Sequence, residues 1–211
     1  MFMGYQDANI SELMNKAMQF KQDCTVKEFE IYEFLRQSLN QRTSWGLIPT
    51  EIAKFMTALG GKLAGKSVYC PWDSFSNFAS LAYIEGAKSS MESSIHTNIP
   101  GLVNIFKDTD VEICYSDPIM HPAYKFQGQL QQFDVSISFP PLNEKYDKQV
   151  NEEDWLNRFP DKTTSGNVLN VRHIMSQTKE KAVIAVTNRV LFSSGAEQSL
   201  RADLLKNNQI E

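Results

Sequence analysis

Through the first sixty positions apolar residues recur every three or four places. Ile10, Leu13, Ala17 and Phe20 share one helix face. Thr25 and Glu28 have the spacing of a capping box, and Phe29, Ile31, Tyr32, Phe34 and Leu35 give the helix behind them its apolar side. After a break at Arg42-Thr43-Ser44-Trp45-Gly46, Pro49-Thr50 opens a third helix. Its Ile52, Phe55, Met56 and Leu59 lie on one side, and Gly60-Gly61 ends it.

Beyond Gly65 the period shortens. Ser67 to Cys70, Val111 to Tyr115, Phe133 to Ser138 and Ala182 to Val186 read as strands, with Ser93 to Thr97 as a further candidate. Helical stretches lie between them at Phe78 to Ser94, Gly101 to Phe106, Val168 to Gln177 and Glu197 to Lys206. Strands alternating with helices predict an α/β fold: a mostly parallel sheet with helices on both faces, preceded by an N-terminal helical segment over residues 1–64. The stretch from Leu142 to Gly166 is polar and irregular, which predicts a lid over a site or a solvated insertion.

Composition narrows the class. At 211 residues there is room for one sizeable core, and 42% hydrophobic with 22% charged residues excludes disorder and fibrous repeats. No apolar run approaches the roughly 20 residues of a membrane helix and the N-terminus has no signal-peptide pattern, so a cytoplasmic protein without membrane contact is expected. Cys24, Cys70 and Cys114 are odd in number and far apart, which predicts buried thiols and no disulfide framework. His96, His121 and His173 are equally scattered and predict no metal site. A net charge of −4 gives no global attraction to nucleic acid. Neither a nucleophile elbow nor a phosphate loop occurs, and Gly60-Gly61-Lys62 reads as a linker.

In an open parallel sheet ligands bind beyond the carboxyl ends of the strands. Four segments follow strands here: Pro71 to Phe78, Ser116-Asp117-Pro118, Phe139-Pro140-Pro141-Leu142, and Thr187 to Glu197. Their order and spacing resemble the adenine-N6 DNA methyltransferases, specifically the modification subunit of type I restriction-modification systems, over roughly residues 25 to 211. Val190-Leu191-Phe192 with Gly195-Ala196-Glu197 is similar to the family's Val-Leu-Phe-Arg-Gly-Gly-Ala-Glu run, and Phe133-Asp134-Val135 leading to Pro140-Pro141 to its strand and catalytic loop. Gly46 and Pro49-Thr50-Glu51-Ile52 resemble a segment near the cofactor, Asp117 falls where the family places an aspartate near the cofactor's adenine, and His173 lies where a family helix carries a similar histidine, here read as a packing residue.

The resemblance implies a Rossmann-like, S-adenosylmethionine-dependent domain over residues 65–211, incomplete at its C-terminus. It also exposes departures. The family's Asp-Pro-x-x-Gly-x-Gly loop has Cys70 for the aspartate and Ser74 and Ser76 for the glycines, with Asp73 and Asp117 as the acids a shifted register would use. The ribose-binding acid expected at the end of the second strand falls on Thr97, while Glu85 and Glu92 are read as part of the preceding helix. Phe139 stands where the family has Asn, Asp or Ser to accept a bond from the flipped adenine, and Leu142 where it has a stacking aromatic ring.

Two functions follow. One is a DNA adenine-N6 methyltransferase using S-adenosylmethionine, weak or inactive alone, reaching DNA through a specificity subunit or larger assembly. The other is a non-catalytic methyltransferase-like interaction protein binding a partner subunit or nucleic acid, with Trp72, Phe75 and Phe139 filling the cofactor cleft; under either reading a homodimer is one way to cover the open sheet edge.

Overall fold

The computed structural model describes residues 48–94, 106–154 and 156–210, with Asn15 and Val103 as isolated positions. Five strands form one sheet: β1 (Ser67–Pro71), β2 (Lys88–Ser93), β3 (Val111–Tyr115), β6 (Phe133–Ser138) and β7 (Thr178–Ile184). They lie in the order β3-β2-β1-β6-β7, every neighbouring pair parallel. A small antiparallel hairpin, β4 (Lys125–Phe126) with β5 (Gln129–Leu130), interrupts the crossover between β3 and β6. The helices are α1 (Thr50–Leu59), α2 (Ala79–Ile84), α3 (Gln149–Glu152), α4 (Gly166–Ser176), α5 (Asn188–Phe192) and α6 (Ala196–Lys206). This is the expected α/β architecture. Among the described residues no helix is long and apolar enough to cross a membrane.

The alternation of strand side chains divides the core. Val68 and Cys70 of β1, Met91 of β2 and Val135 and Ile137 of β6 pack on one face with Ala53 and Met56 of α1 and Ala79 and Ala82 of α2. Tyr69 points to the opposite face, where it stacks on Phe133 at 4.9 Å and meets Tyr124 edge-on. Val168 and Val171 of α4 pack there with Val190, Leu200 and Ile184.

β1 and β2 share five register pairs, whereas β1 and β6 share two, Val68 with Val135 and Tyr69 with Ser136. Side chains hold the two ends of that short ladder. Asp134 accepts from the backbone and hydroxyl of Ser67, both at 2.8 Å, and Ser138 donates to the Pro71 carbonyl at 2.9 Å.

Several expectations are corrected. The helix expected over Phe78 to Ser94 is two elements: α2 stops at Ile84, Gly86 takes φ +85°, and the chain re-enters the sheet as β2. The second strand therefore ends where it was expected to begin, and Glu92 lies in it and on no helix. α1 keeps its expected bounds, but it buries Ala53, Met56 and Thr57, leaving Ile52, Phe55 and Leu59 at 42%, 64% and 48% exposure. Small residues let α1 sit close to the sheet, and the bulkier face turns outward. β7 starts four residues before the expected Ala182, because an edge strand tolerates the charges of Lys179, Glu180 and Lys181. The helices expected around Asn9 to Phe20 and Thr25 to Leu35, together with Gly46 and Thr97, lie outside the described residues.

The described residues of 142–166 are in part packed on the fold, while most of 142–149 is exposed. Val150 and Phe159 are buried against Ile119 and Leu169, with Trp72 and Tyr146 alongside. Lys145 bridges Ser165, and Gly166 donates from its backbone to the Glu144 carbonyl at 2.9 Å. A Cβ at position 166 would stand 2.7 Å from that carbonyl oxygen, so only glycine permits the approach. Gly166→Ala is expected to lower unfolding free energy by about 1–3 kcal/mol in urea titrations, and an unchanged midpoint would refute this packing.

Candidate active site

Strand order reverses between β1 and β6, so the ligand crevice of such a sheet lies beyond their carboxyl ends. The Ser138 to Pro71 hydrogen bond brings those ends together. Trp72 and Ser76 both adopt left-handed backbone, φ +60° and +53°, a conformation glycine takes at least cost. Of the two positions where the resemblance places glycine, Ser76 takes this backbone and Ser74 does not. From Asp73 to Asn77 the loop is buried throughout.

Its polar side chains are turned to the chain itself. The Asp73 carboxylate accepts from the backbone of Asn77, Phe78 and Ala79 at 2.6, 2.9 and 3.0 Å, satisfying amides at the start of α2. Burial nevertheless pushes its pKa up, against the pull of those amides. Ser74 bonds Ser93 at the end of β2, 2.8 Å away, while the buried Ser76 hydroxyl has no partner. Cys70 faces the α1–α2 core with Val68 and Met91, and burial raises its thiol pKa well above the usual range, with Asp73 adding to the effect. Pro49 is exposed, but its neighbour Ile48 donates to Asn77 at 3.3 Å, which brings the segment before α1 to this loop.

At the other crevice positions the same holds. Asp117 Oδ1 accepts from the backbone of Ile119 at 2.8 Å and of Met120 at 3.0 Å in a local turn. Phe139 packs against the main core, Pro140 is buried, and Pro141 and Leu142 are exposed. The Pro141 carbonyl accepts from Asn170 of α4 at 3.2 Å.

Sequence reasoning missed the site's most constrained group. Glu92, next to last in β2, is fully buried. Its Oε2 accepts from the Tyr69 hydroxyl at 2.6 Å, and its Oε1 accepts from the Ala123 backbone at 2.7 Å. Ser116 Oγ lies 2.5 Å from both Glu92 Oε1 and the His121 carbonyl. One hydroxyl proton can serve only one of those two contacts, and a proton on the carboxyl would serve the other. Burial raises the Glu92 pKa in the direction of that protonated form, opposed by Ser116, Tyr69 and Ala123.

Behind Glu92 the proton positions follow from the inventory of donors. Arg158 Nη1 stands 3.0 Å from His173 Nδ1, and His173 Nε2 stands 3.0 Å from the Tyr69 hydroxyl. An arginine only donates, so Nδ1 accepts; Tyr69 spends its proton on Glu92, so Nε2 must carry the histidine's hydrogen. The bonds run one way: Arg158 to His173 to Tyr69 to Glu92. Arg158 also donates to the carbonyls of Pro118 at 3.1 Å and Ile119 at 2.6 Å and pairs with the buried Asp154 at 3.0 Å. The break at Gly86 was the one sequence signal for Glu92; nothing in the polar 142–166 stretch marked Arg158.

Residues 95–211, more than half of the chain, match the family model described as N-6 DNA Methylase. The chain belongs to the N-6 DNA methylase family. The matched span begins after β2 and includes the Phe139 to Leu142 loop, so the β1 loop and Glu92 lie outside it. No functionally curated protein matches the sequence. Among solved structures, the methyltransferase subunit of a type I restriction-modification system from Streptococcus thermophilus is similar with a TM-score of 0.62 at 16% identity, over 75% of this chain and 38% of that one. A putative RNA methyltransferase from Pyrococcus horikoshii gives 0.48 at 12% identity, over 68% of this chain and 64% of that one. The first likeness shows a shared fold, and this N-6 DNA methylase chain spans 38% of that subunit's length. Among the described residues no cluster of His, Cys, Asp and Glu is arranged for a metal ion.

The one-way chain makes a prediction for pH. Burial first, and Arg158 second, hold the His173 pKa well below its usual 6.5. Below pH 6.5 the unfolded chain therefore takes up a proton that the folded chain refuses, and stability falls as pH falls, by about 1.4 kcal/mol per unit until the folded pKa is reached. Urea titrations at pH 7.5, 6.5 and 5.5 should show this slope reduced in His173→Gln. Equal slopes in the two proteins would refute the assignment.

Proposed function

We propose that this chain is a methyltransferase-like domain of the type I modification-subunit kind that has kept the fold and lost the cofactor and base chemistry. On this reading residues 65–211 form that domain, preceded by an N-terminal helical segment, and alone it transfers no methyl group to adenine. It acts in the cytoplasm as a non-catalytic module, reaching DNA through a partner such as a specificity subunit.

The observation that carries the reading is Glu92. Methyltransferases of this family generally take the methyl group from S-adenosylmethionine, and an acid at the end of the second strand holds the ribose hydroxyls by offering open lone pairs. Glu92 occupies that end of β2 with both oxygens bonded inside the protein and no exposed surface. The residues present do not fit the cofactor elsewhere either, since Asp117 and Asp73 serve local backbone amides. At the base position a phenyl ring on Phe139 accepts no hydrogen bond. Losing one oriented donor or acceptor of this kind costs on the order of a hundredfold in rate. The left-handed backbone at Ser76, one of the two positions where the resemblance places glycine, supports a glycine-type origin for that position.

Calorimetric titration with S-adenosylmethionine and S-adenosylhomocysteine is expected to give no saturable heat up to about 1 mM, the concentration corresponding to roughly −4 kcal/mol. A cooperative melt of the same sample confirms that it is folded. One-to-one saturable binding would overturn the proposal and restore the methyltransferase reading.

A further inference from the structure

We propose that Glu92 holds a proton at neutral pH and that this proton latches the Ser116 to His121 turn, closed while the acid is protonated and released when it ionises. The inference concerns where one hydroxyl proton goes and stands whether or not cofactor binding is retained. Ser116 Oγ lies 2.5 Å from Glu92 Oε1 and 2.5 Å from the His121 carbonyl oxygen, and each contact needs a hydrogen between its two oxygens. A carbonyl carries none, so the serine's own proton goes to His121. The hydrogen between Ser116 and Glu92 then belongs to the carboxyl. It sits on Oε1, because Oε2 already accepts from the Tyr69 hydroxyl at 2.6 Å, and that hydroxyl accepts in turn from His173 at 3.0 Å. The Ala123 amide, 2.7 Å away, uses the remaining lone pair of Oε1.

Ionisation undoes this arrangement. An anionic Glu92 is the stronger acceptor, so the Ser116 proton turns to it and the His121 carbonyl is left facing a serine lone pair. Two acceptor oxygens do not stay 2.5 Å apart, and the carbonyl swings away. The turn that loosens carries Asp117 at the border of the crevice, and the Asp117 carbonyl accepts from the His121 amide at 2.8 Å. Arg158 grips its middle at the Pro118 and Ile119 carbonyls, so the motion is confined to the His121 end.

The surroundings favour the proton. Burial is the largest influence on Glu92 and opposes the anion, against the pull of the donors bonded to it, and the Asp117 carboxylate repels a second negative charge. On the β3 side Cys114, the register partner of Glu92, and Tyr124 are held neutral, chiefly by burial, and Glu112 adds another acid. Arg158 draws Glu92 toward the anion, but it stands behind His173 and Tyr69 and is paired with Asp154. The exposed His121 contributes only its backbone. The folded chain thus keeps a proton that the unfolded chain releases, so the latch is lost as pH rises, with the opposite sign to His173.

Infrared spectra of the full chain at pH 7 are expected to contain a protonated-carboxyl stretch that is absent from Glu92→Gln. Hydrogen exchange, with each rate divided by the unfolded-chain rate at the same pH, should show the His121 amide losing about fivefold to tenfold protection between pH 6 and pH 9, the worth of one hydrogen bond. Glu92→Gln, which cannot titrate, should flatten that dependence. So should Ser116→Ala, an independent variant at a half-buried position that leaves the acid in place. His121→Gln retains the backbone carbonyl and should retain the dependence. A missing carboxyl stretch in the unaltered chain, His121 protection constant with pH, or a dependence that survives in Ser116→Ala or vanishes in His121→Gln would overturn the proposal.

Discussion

The centre of this molecule is organised by the direction of one hydrogen-bond chain. Arg158, which only donates, stands at one end, and the acceptor oxygens of Glu92 stand at the other; His173 and Tyr69 between them have no freedom in where their protons lie. The four groups come from the 142–166 segment, α4, β1 and β2, so a single proton arrangement joins elements far apart in sequence. In a buried environment each bond is strengthened by its neighbours, and each unmade bond is costly. Removing one member of a buried ion pair such as Arg158 with Asp154 typically costs about 3–5 kcal/mol, because the other charge is left alone.

The same arrangement sets how the acids around the crevice are held. A carboxylate cannot serve a ribose and a tyrosine with the same lone pairs, and Glu92 is committed to the protein. The same economy recurs nearby, where Asp73 holds the start of α2 and Asp117 closes its own turn. The acids that sequence spacing offers as ligand groups thus each hold a backbone segment that borders the crevice. The fold depends on strand order and helix packing, which these internal bonds reinforce.

What the sequence disclosed, and what it hid, follows from how each element is stabilised. β1, β3 and β6 were legible because their apolar and aromatic residues alternate toward two covered faces. β2 was not: Lys-Ser-Ser-Met-Glu-Ser has little intrinsic strand preference and is held by neighbours on both sides, so tertiary pairing overrode the local pattern and carried Glu92 with it. The helical period of α1 was correct while its buried side was not, because close packing chose Ala53 and Thr57 over larger side chains. Within the site, the Phe139 to Leu142 substitutions could be read directly, but the partners of Asp73, Asp117 and Glu92 lie across the fold or in turns, beyond the reach of spacing arguments.

The long loop closed by the β1–β6 pairing bears on how the chain assembles. β1 reaches β2 through the short α2 connection, while its pairing with β6 closes a far longer loop, from Val68 to Val135. Distant contacts of this kind form late, since the closure entropy comes before the interactions that reward it. The β1-β2-β3 half is therefore a natural early unit, and β6 with β7 a late one. The Ser67–Asp134 and Ser138–Pro71 bonds tie the two halves at either end of this junction. The floor of the crevice is thus also the line along which the early and the late part of the sheet join.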